Sequence, residues 1–293
     1  MKKFLLKSLI FLIVVVISFI VFWAIICSNR DKTLKLPNNE NIVFLGNSHI
    51  ECAVNDSILE NSFNFARSSE NMEYVYCKVK LLKQYNPQLD TVIIGYDNTL
   101  LTCPFYNSGL YSPYYYDTYT LSDFNALFKN SSFKYIESHL THPFNWAKLI
   151  NIISTFVKTD VNAHDLDELG GYLYLVRDKL EESIKRQDKK STEIPQCDNN
   201  SKYFLNEIEK YCAKNNITLI FIHTPMHKAL NWDKTFLKKF HKQNYSNIKF
   251  YDFKDMELPD SCFGDLDHLN YKGAKVFSEF LEKEIFHKNN YPQ

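Results

Sequence analysis

The chain has 293 residues, which is enough for one α/β domain with an insertion or for two small domains. Lysine plus arginine and aspartate plus glutamate each number 34, so the formal net charge is zero and no overall field favours nucleic acid or another charged partner. We therefore expect no nucleic-acid role and interpret the chain as one domain preceded by a membrane segment.

Residues 1–28 have the pattern of an N-terminal signal anchor. Basic residues precede an uncharged apolar run over 8–27, which is close to the ~20 residues that a helix needs to cross a bilayer. The run ends in a poor cleavage site, which favours a retained transmembrane helix over a cleaved signal peptide. The basic start favours a cytoplasmic N-terminus. We therefore expect a single-pass membrane protein whose domain is extracytoplasmic, in the periplasm or at the cell surface, with 29–40 as a polar linker.

The domain is predicted to cover 41–293. It begins with a buried strand that is followed directly by a tight turn containing a serine. The apolar residues over 41–45 are followed by Gly46, Asn47 and Ser48. A serine in this place lies at the carboxyl end of a strand, where open α/β sheets bind ligands. The pattern therefore makes Ser48 a candidate nucleophile.

Strand and helix patterns alternate through the rest of the domain. Capping residues at 55–57 predict the start of a first helix, and apolar spacing predicts an amphipathic helix over 70–85. Such alternation predicts a parallel sheet with right-handed crossovers. After the first strand, further strands are predicted at 63–65, 91–95, 217–223 and 248–250, and later helices at 202–214, 232–240 and 271–286.

A tyrosine-rich and largely helical insert is predicted at about 100–171, between the third and fourth strands. Its tyrosines would suit stacking on sugar rings or closing over an acyl chain, and they would equally suit the packing of a loop-rich insert. A charged helix over 172–189 is predicted to follow it.

Near the other end of the chain, Asp265 lies three residues before His268, just ahead of the closing helix. Serine is a poor nucleophile until a base takes its proton, and a histidine base works best when a carboxylate orients it. Ser48, His268 and Asp265 could therefore form a catalytic triad if the fold brings the two ends together. Asp267 adjoins the histidine and is expected to point elsewhere.

The cysteines give no sign of a metal or redox centre. Seven are present, without a CxxC pair and without metal-ligand spacing to histidine. Small buried residues are one interpretation, and a disulfide on an oxidising side of a membrane is the other. We expect no metal and no cofactor.

These two motifs resemble those of the SGNH/GDSL hydrolase family. Gly46-Asn47-Ser48-His49 is similar to the first block of that family, and Asp265-x-x-His268 is similar to its last block, in the same order along the chain. The resemblance implies a flavodoxin-like, three-layer α/β fold with a parallel sheet. It also implies a serine esterase or acyltransferase with Ser48, Asp265 and His268 as its triad.

In that family the oxyanion hole combines the serine N–H with donors from two middle blocks. The second block falls near 64–69, where Ser69 aligns with a glycine, and the third reads Gly95-Tyr-Asp-Asn98. The resemblance implies Ser48, Ser69 and Asn98 as donors, with Asn98 displaced by one residue. Asn98 could instead only shape the turn after the third strand.

Three further histidines are candidates for lining the substrate pocket. His49 directly follows Ser48, while His223 and His227 follow the fourth strand. Each could equally be a structural or surface histidine.

The resemblance implies acyl esters as substrates, with acetyl groups of cell-envelope glycans as the expected class. Hydrolysis and transfer share an acyl-enzyme and differ in whether water or a sugar hydroxyl resolves it. The other hypothesis is a non-catalytic SGNH-like module that binds polysaccharide or a membrane partner. Ser69 and Asp97-Asn98, which depart from the family blocks, favour that hypothesis.

Overall fold

The computed structural model describes residues 2–37, 40–102, 118, 123, 170–186, 196–230 and 235–286. The predicted insert at about 100–171 lies almost wholly outside these residues.

A parallel sheet of five strands forms the centre of the domain, as the alternating pattern predicted. Its strands are β1 (Ile42–Leu45), β2 (Ser62–Asn64), β3 (Thr91–Gly95), β4 (Thr218–His223) and β5 (Lys249–Asp252). Their order across the sheet is β2-β1-β3-β4-β5, and every neighbouring pair is parallel. This is the order of the flavodoxin-like doubly wound sheets, in which the direction of winding changes between β1 and β3.

Helices cover both faces of this sheet, except for the first helix, whose described side chains over 3–21 are exposed. They are α1 (Lys2–Thr33), α2 (Ser48–Ala53), α3 (Met72–Tyr85), α4 (Asn98–Thr102), α5 (Leu180–Arg186), α6 (Asn199–Lys214), α7 (Phe236–Asn244) and α8 (Tyr271–Leu281), which continues as a π-helical turn over Glu282–Phe286. Two apolar clusters form the core, one under α3 and α6 and the other under α2 and α8. Successive side chains of a strand point to opposite faces of the sheet. Val43 of β1 therefore packs in the cluster under α3 and α6, and Phe44 packs in the cluster under α2 and α8.

The predicted transmembrane helix is not confirmed. Helix α1 begins at Lys2 and ends at Thr33. Across the part of the chain that the structure describes, no helix combines the length and the apolar character that crossing a membrane requires. The membrane location stays a prediction.

The predicted charged helix over 172–189 is wrong in its first half. Residues 171–179 are not helical, and α5 covers only Leu180–Arg186. The backbone N–H groups of this segment donate to distant carbonyls: Gly171 to Ala66 at 3.0 Å, Leu173 to Glu51 at 2.8 Å and Lys179 to Gly264 at 2.8 Å. Because tertiary partners take these donors, the local helical pattern is overridden. We call residues 170–179 the bridging segment.

Gly170, the first residue of the bridging segment, allows the chain to pass close to the loop after β2. Its φ is +118°, and a Cβ there would lie 2.5 Å from the carbonyl oxygens of both Phe65 and Ala66. Only glycine takes up this conformation at such a close approach.

The first predicted helix is also displaced. Residues 55–57 form a turn, and the helix begins earlier, at Ser48 itself. The cap is Asn47, whose side-chain oxygen accepts from the His49 N–H at 3.0 Å. The candidate nucleophile is therefore the first residue of α2.

Candidate active site

The turn after β1 presents Ser48 at the carboxyl edge of the sheet. Gly46 has φ +145°, a conformation that a side chain would strain, and it turns the chain from the strand into α2. Ser48 follows β1, one of the two strands at which the winding of the sheet changes. Ligands bind at this switch point in open α/β sheets.

The loop before α8 fixes His268. Asp265 Oδ1 accepts from the backbone N–H groups of Asp267 at 3.2 Å and His268 at 2.9 Å, which closes a tight turn. Asn270 then caps α8 through the N–H groups of Lys272 and Gly273. Because both sides of His268 are anchored, its ring has a defined position.

The structure brings the predicted triad together from positions 220 residues apart. His268 Nε2 lies 2.8 Å from Ser48 Oγ, and His268 Nδ1 lies 2.9 Å from Asp265 Oδ1. Both distances are within hydrogen-bond reach. Ser48 and His268 are partly exposed, so a reactant can approach the hydroxyl.

Asp267 differs from the expectation that it would point elsewhere. Its Oδ1 lies 3.1 Å from His268 Nδ1, and its Oδ2 lies 3.6 Å from His49 Nε2. The hydrogen bonds from the Asp267 and His268 N–H groups to Asp265 Oδ1 bend the backbone. Because of this bend, the carboxylates of Asp265 and Asp267 both face His268 Nδ1. Nδ1 of His268 thus has two carboxylate neighbours.

Arg177 is a site residue that the sequence patterns did not indicate. Its Nη1 donates to Asp265 Oδ2 at 2.6 Å, from the bridging segment. No motif marks this arginine, which lies within the helix predicted over 172–189. The ion pair depends on a contact between residues 88 positions apart.

His49 is a buried histidine between two carboxylates. Its Nδ1 lies 3.1 Å from Asp97 Oδ2, and its side chain is 3% exposed. Burial alone would lower the pKa of His49, but Asp97 and Asp267 outweigh it and raise the pKa to about 10. The histidine therefore contacts Asp267 beside the triad, and its part in lining a substrate pocket stays a prediction.

Asp97 takes a role that its position in the third block did not predict. Asn47 Nδ2 donates to it at 3.2 Å, and the N–H of Leu100 donates at 2.8 Å. Burial favours its neutral form, but His49 and these contacts hold the pKa of Asp97 below its usual value. Asp97 is thus a fixed, buried carboxylate.

The two carboxylates beside His268 change its pKa in the way that Asp97 and Asp267 change the pKa of His49. Burial lowers the pKa of His268, but the hydrogen bonds to Asp265 and Asp267 outweigh burial and raise it above the ordinary value. The pKa values of both aspartates lie below their usual range, because their charge partners outweigh the cost of burial. In the resting site both carboxylates are therefore ionised.

The loop that carries Ser69 is attached to the serine turn. The N–H of Arg67 donates to the Gly46 carbonyl at 3.1 Å, and Lys78, buried on α3, donates to the Phe65 carbonyl at 2.6 Å. Ser69 has φ +65°, the left-handed conformation that a glycine at this point of the family pattern would adopt easily.

Asn98 begins α4 and is buried directly beside Asp97. Within the described ranges, no hydrogen bond joins Ser69 or Asn98 to Ser48 or His268. Their part in an oxyanion hole, and that of the Ser48 N–H, stay predictions.

His223 and His227 lie at the carboxyl edge of the sheet, as predicted, but each is paired with another residue. His223 Nδ1 lies 3.2 Å from Asp252 Oδ1, and His227 Nε2 lies 3.3 Å from Asp260 Oδ1. Both histidines are buried, and among the described residues neither makes a hydrogen bond to the triad. Their contact with a substrate stays a prediction.

His49, Asp267 and His268 are close enough to hold a metal ion, since their ligand atoms all lie within 4.8 Å of one another. Ion pairs among these residues already account for each contact, and His268 Nε2 faces Ser48 rather than a common centre. The absence of a metal from this group stays a prediction.

Cys52, Cys197, Cys212 and Cys262 are free thiols. Burial raises the pKa of Cys52, Cys197 and Cys212 to about 12, so these thiols are neutral at ordinary pH.

Comparison with protein families gives a match to the model of an uncharacterised family over residues 165–290, which is less than half of the chain. The matched region includes Arg177, Asp265 and His268 and does not include Ser48. No curated protein matches the chain. The resemblance to SGNH hydrolases is therefore carried by the two motifs and not by this match.

Proposed function

We propose that the protein is a serine esterase or O-acyltransferase of the SGNH type, with Ser48, His268 and Asp265 as its catalytic triad. The observation that carries the proposal is the hydrogen-bonded line from Ser48 Oγ through the His268 ring to Asp265. Two short motifs at opposite ends of the chain meet in it, at the edge of the sheet where ligands bind.

In this mechanism His268 Nε2 takes the proton of Ser48 Oγ as the oxygen attacks an acyl carbonyl. The imidazolium then gives that proton to the leaving alcohol, which leaves Ser48 acylated. Water resolves the acyl-enzyme in hydrolysis, and an acceptor hydroxyl resolves it in transfer. Asp265 holds the tautomer in which Nδ1 carries the proton and Nε2 accepts.

The charged surroundings support this proton transfer. Three carboxylates and two cations surround the base: Asp97, Asp265, Asp267, His49 and Arg177. They leave one net negative charge, the same as the single carboxylate of a simple triad. The imidazolium that forms during acyl transfer is therefore stabilised without an excess of negative charge behind it.

The substrate class follows from the resemblance and from the predicted membrane location. We propose acyl esters, with acetyl groups on cell-envelope glycans as the first class to test. The tyrosine-rich insert is a candidate surface for such a glycan, but it lies outside the described residues.

A non-catalytic binding module remains the second candidate. One observation favours it: Asp97, at the third block, is ionised and paired with His49, so it cannot donate a hydrogen bond to an oxyanion.

Covalent labelling of Ser48 separates the two candidates. The full-length protein in detergent, treated with a fluorophosphonate probe, should be labelled at Ser48, and labelling should be lost in Ser48→Ala and reduced in His268→Gln. Ser57→Ala, which removes an exposed serine nine residues away, is the matched control and should label normally. A folded wild-type protein that takes up no probe and cleaves no small acetyl ester would favour the binding module.

Acetate released from, or moved between, O-acetylated envelope glycans then distinguishes hydrolysis from transfer. Release of free acetate in proportion to turnover indicates an esterase, while acetate that reappears on an added glycan acceptor indicates a transferase.

A further inference from the structure

Two carboxylates at one imidazole nitrogen create a difficulty for a general base. Asp265 and Asp267 both lie within 3.1 Å of His268 Nδ1. Negative charge beside an imidazole favours its protonated form, and a histidine that is already protonated cannot accept the proton of Ser48. A catalytic His268 therefore needs a compensating positive charge close by.

His49 is placed to provide that charge. The centroids of the His49 and His268 rings are 5.1 Å apart, and Asp267 lies between the two histidines. On its other side His49 meets Asp97, which is 2% exposed and held by Asn47 and by the N–H of Leu100. Because Asp97 is fixed and shielded from water, it stabilises the charged form of His49 strongly.

We propose that His49 is a positioning residue of the active site: as a buried imidazolium anchored on Asp97, it holds Asp267 against His268 and offsets part of its charge, so that His268 loses its proton at a lower pH than the two carboxylates alone would allow. The inference rests on the proposed function for its consequence in catalysis. The charge state of His49 and its effect on His268 can be measured without activity.

Within the described part of the chain, charged groups surround the two rings. Asp97, Asp267 and His268 face His49, and Asp265, Asp267 and His49 face His268, with Arg177 on the far side of Asp265. Beyond them, His223 acts on Asp97. A unit charge at about 5 Å from an imidazole, at an effective dielectric constant of about 20, changes its titration midpoint by roughly two pH units.

The variant that tests this removes His49 together with its buried partner. His49→Gln alone would leave Asp97 buried without a cation, which destabilises the fold and allows a carboxylate to become protonated. His49→Gln/Asp97→Asn replaces the pair by two amides of similar shape. His241→Gln, on α7, is the control, because it removes a histidine that lies outside the triad network.

The primary measurement is the titration midpoint of His268, followed by NMR of the histidine rings in the full-length protein in detergent. We expect the midpoint to rise by about one pH unit in His49→Gln/Asp97→Asn, because the loss of the Asp97 charge on the far side of His49 cancels part of the effect of losing the His49 charge. The midpoint should stay unchanged in His241→Gln. The rate of fluorophosphonate labelling of Ser48 should follow the midpoint, with a loss of up to about tenfold at neutral pH that is recovered at alkaline pH. An unchanged midpoint, or a lower rate at every pH without a shift, would show that His49 only supports the structure.

The wild-type protein gives a second test if the double variant does not fold. The His49 signals should be those of an imidazolium through the pH range in which His268 titrates, and a neutral His49 at pH 7 would overturn the inference. If wild-type Ser48 reacts with no probe at any pH, the proposed function fails. The NMR midpoints then still decide whether His49 controls the charge of His268.

Discussion

At the scale of single residues, Nδ1 of His268 is the atom whose surroundings the catalytic proposal depends on most. Asp265 has the shorter contact and is also the acceptor that closes the turn. Asp267 lies 0.2 Å farther away and is shared with His49. Because Asp265 has the better geometry and its own cation in Arg177, we assign the orienting role to Asp265.

This assignment predicts different effects for two isosteric substitutions. Asp265→Asn keeps an oxygen for the turn but presents the wrong partner to Nδ1, so acyl turnover or Ser48 labelling should fall by about 10²–10⁴-fold. Asp267→Asn should cost much less, on the order of tenfold. The rates should be compared at pH 8 and at matched thermal stability. Equal losses, or a larger loss in Asp267→Asn, would move the third member of the triad to Asp267.

At the scale of elements, the bridging segment links the parts of the site that come from different regions of the chain. Its backbone bonds to the loop after β2, to α2 and to the loop before α8, and it carries Arg177 to Asp265. These contacts replace the helix that the local pattern predicted. The segment therefore has a structural reason not to be helical.

Two adjacent glycines provide a matched test of this segment. Gly170→Ala places a Cβ 2.5 Å from two carbonyl oxygens at φ +118°, and we expect a loss of at least about 1–3 kcal/mol in the free energy of unfolding. Gly171→Ala meets nothing within 4 Å and should change the free energy by less than about 0.5 kcal/mol. Urea unfolding measures both, and Ser48 labelling should slow in Gly170→Ala alone. If the two variants behave alike, the close approach at Gly170 does not hold the segment.

At the scale of the whole molecule, the site is made where the two ends of the domain meet. Ser48 follows a central strand of the sheet, and His268 precedes the last long helix, α8, which packs on α2. The parallel order β2-β1-β3-β4-β5 directs the carboxyl ends of all five strands to one edge, where this meeting takes place.

The serine mechanism also predicts how the molecule responds to chelation. The group formed by His49, Asp267 and His268 has metal-ligand spacing, but the mechanism uses His268 Nε2 as a free base. Dialysis of the full-length protein against EDTA should therefore leave the rate of Ser48 labelling unchanged. A loss that returns on addition of Zn²⁺ would identify a metal centre in this group and contradict the use of His268 Nε2 as a free base.

Local patterns in the sequence determined the strands, the serine turn and the loop that carries Asp265 and His268. Apolar runs, glycine turns and capping residues act over a few positions, so their consequences can be predicted from neighbours alone. The five parallel strands confirm that part of the prediction. The helix start predicted at 55–57 was wrong, because the cap at Asn47 begins the helix at Ser48.

The tertiary structure alone decided which charges meet. The contacts of Arg177 with Asp265 and of His49 with Asp97 and Asp267 join residues from different turns, loops and segments. No periodic pattern in the sequence predicts these ion pairs, because they depend on the order of the strands in the sheet and on where a loop bends. For the same reason the bridging segment is not helical although its own residues favour a helix: its hydrogen-bond partners are far away in sequence and near only in the fold.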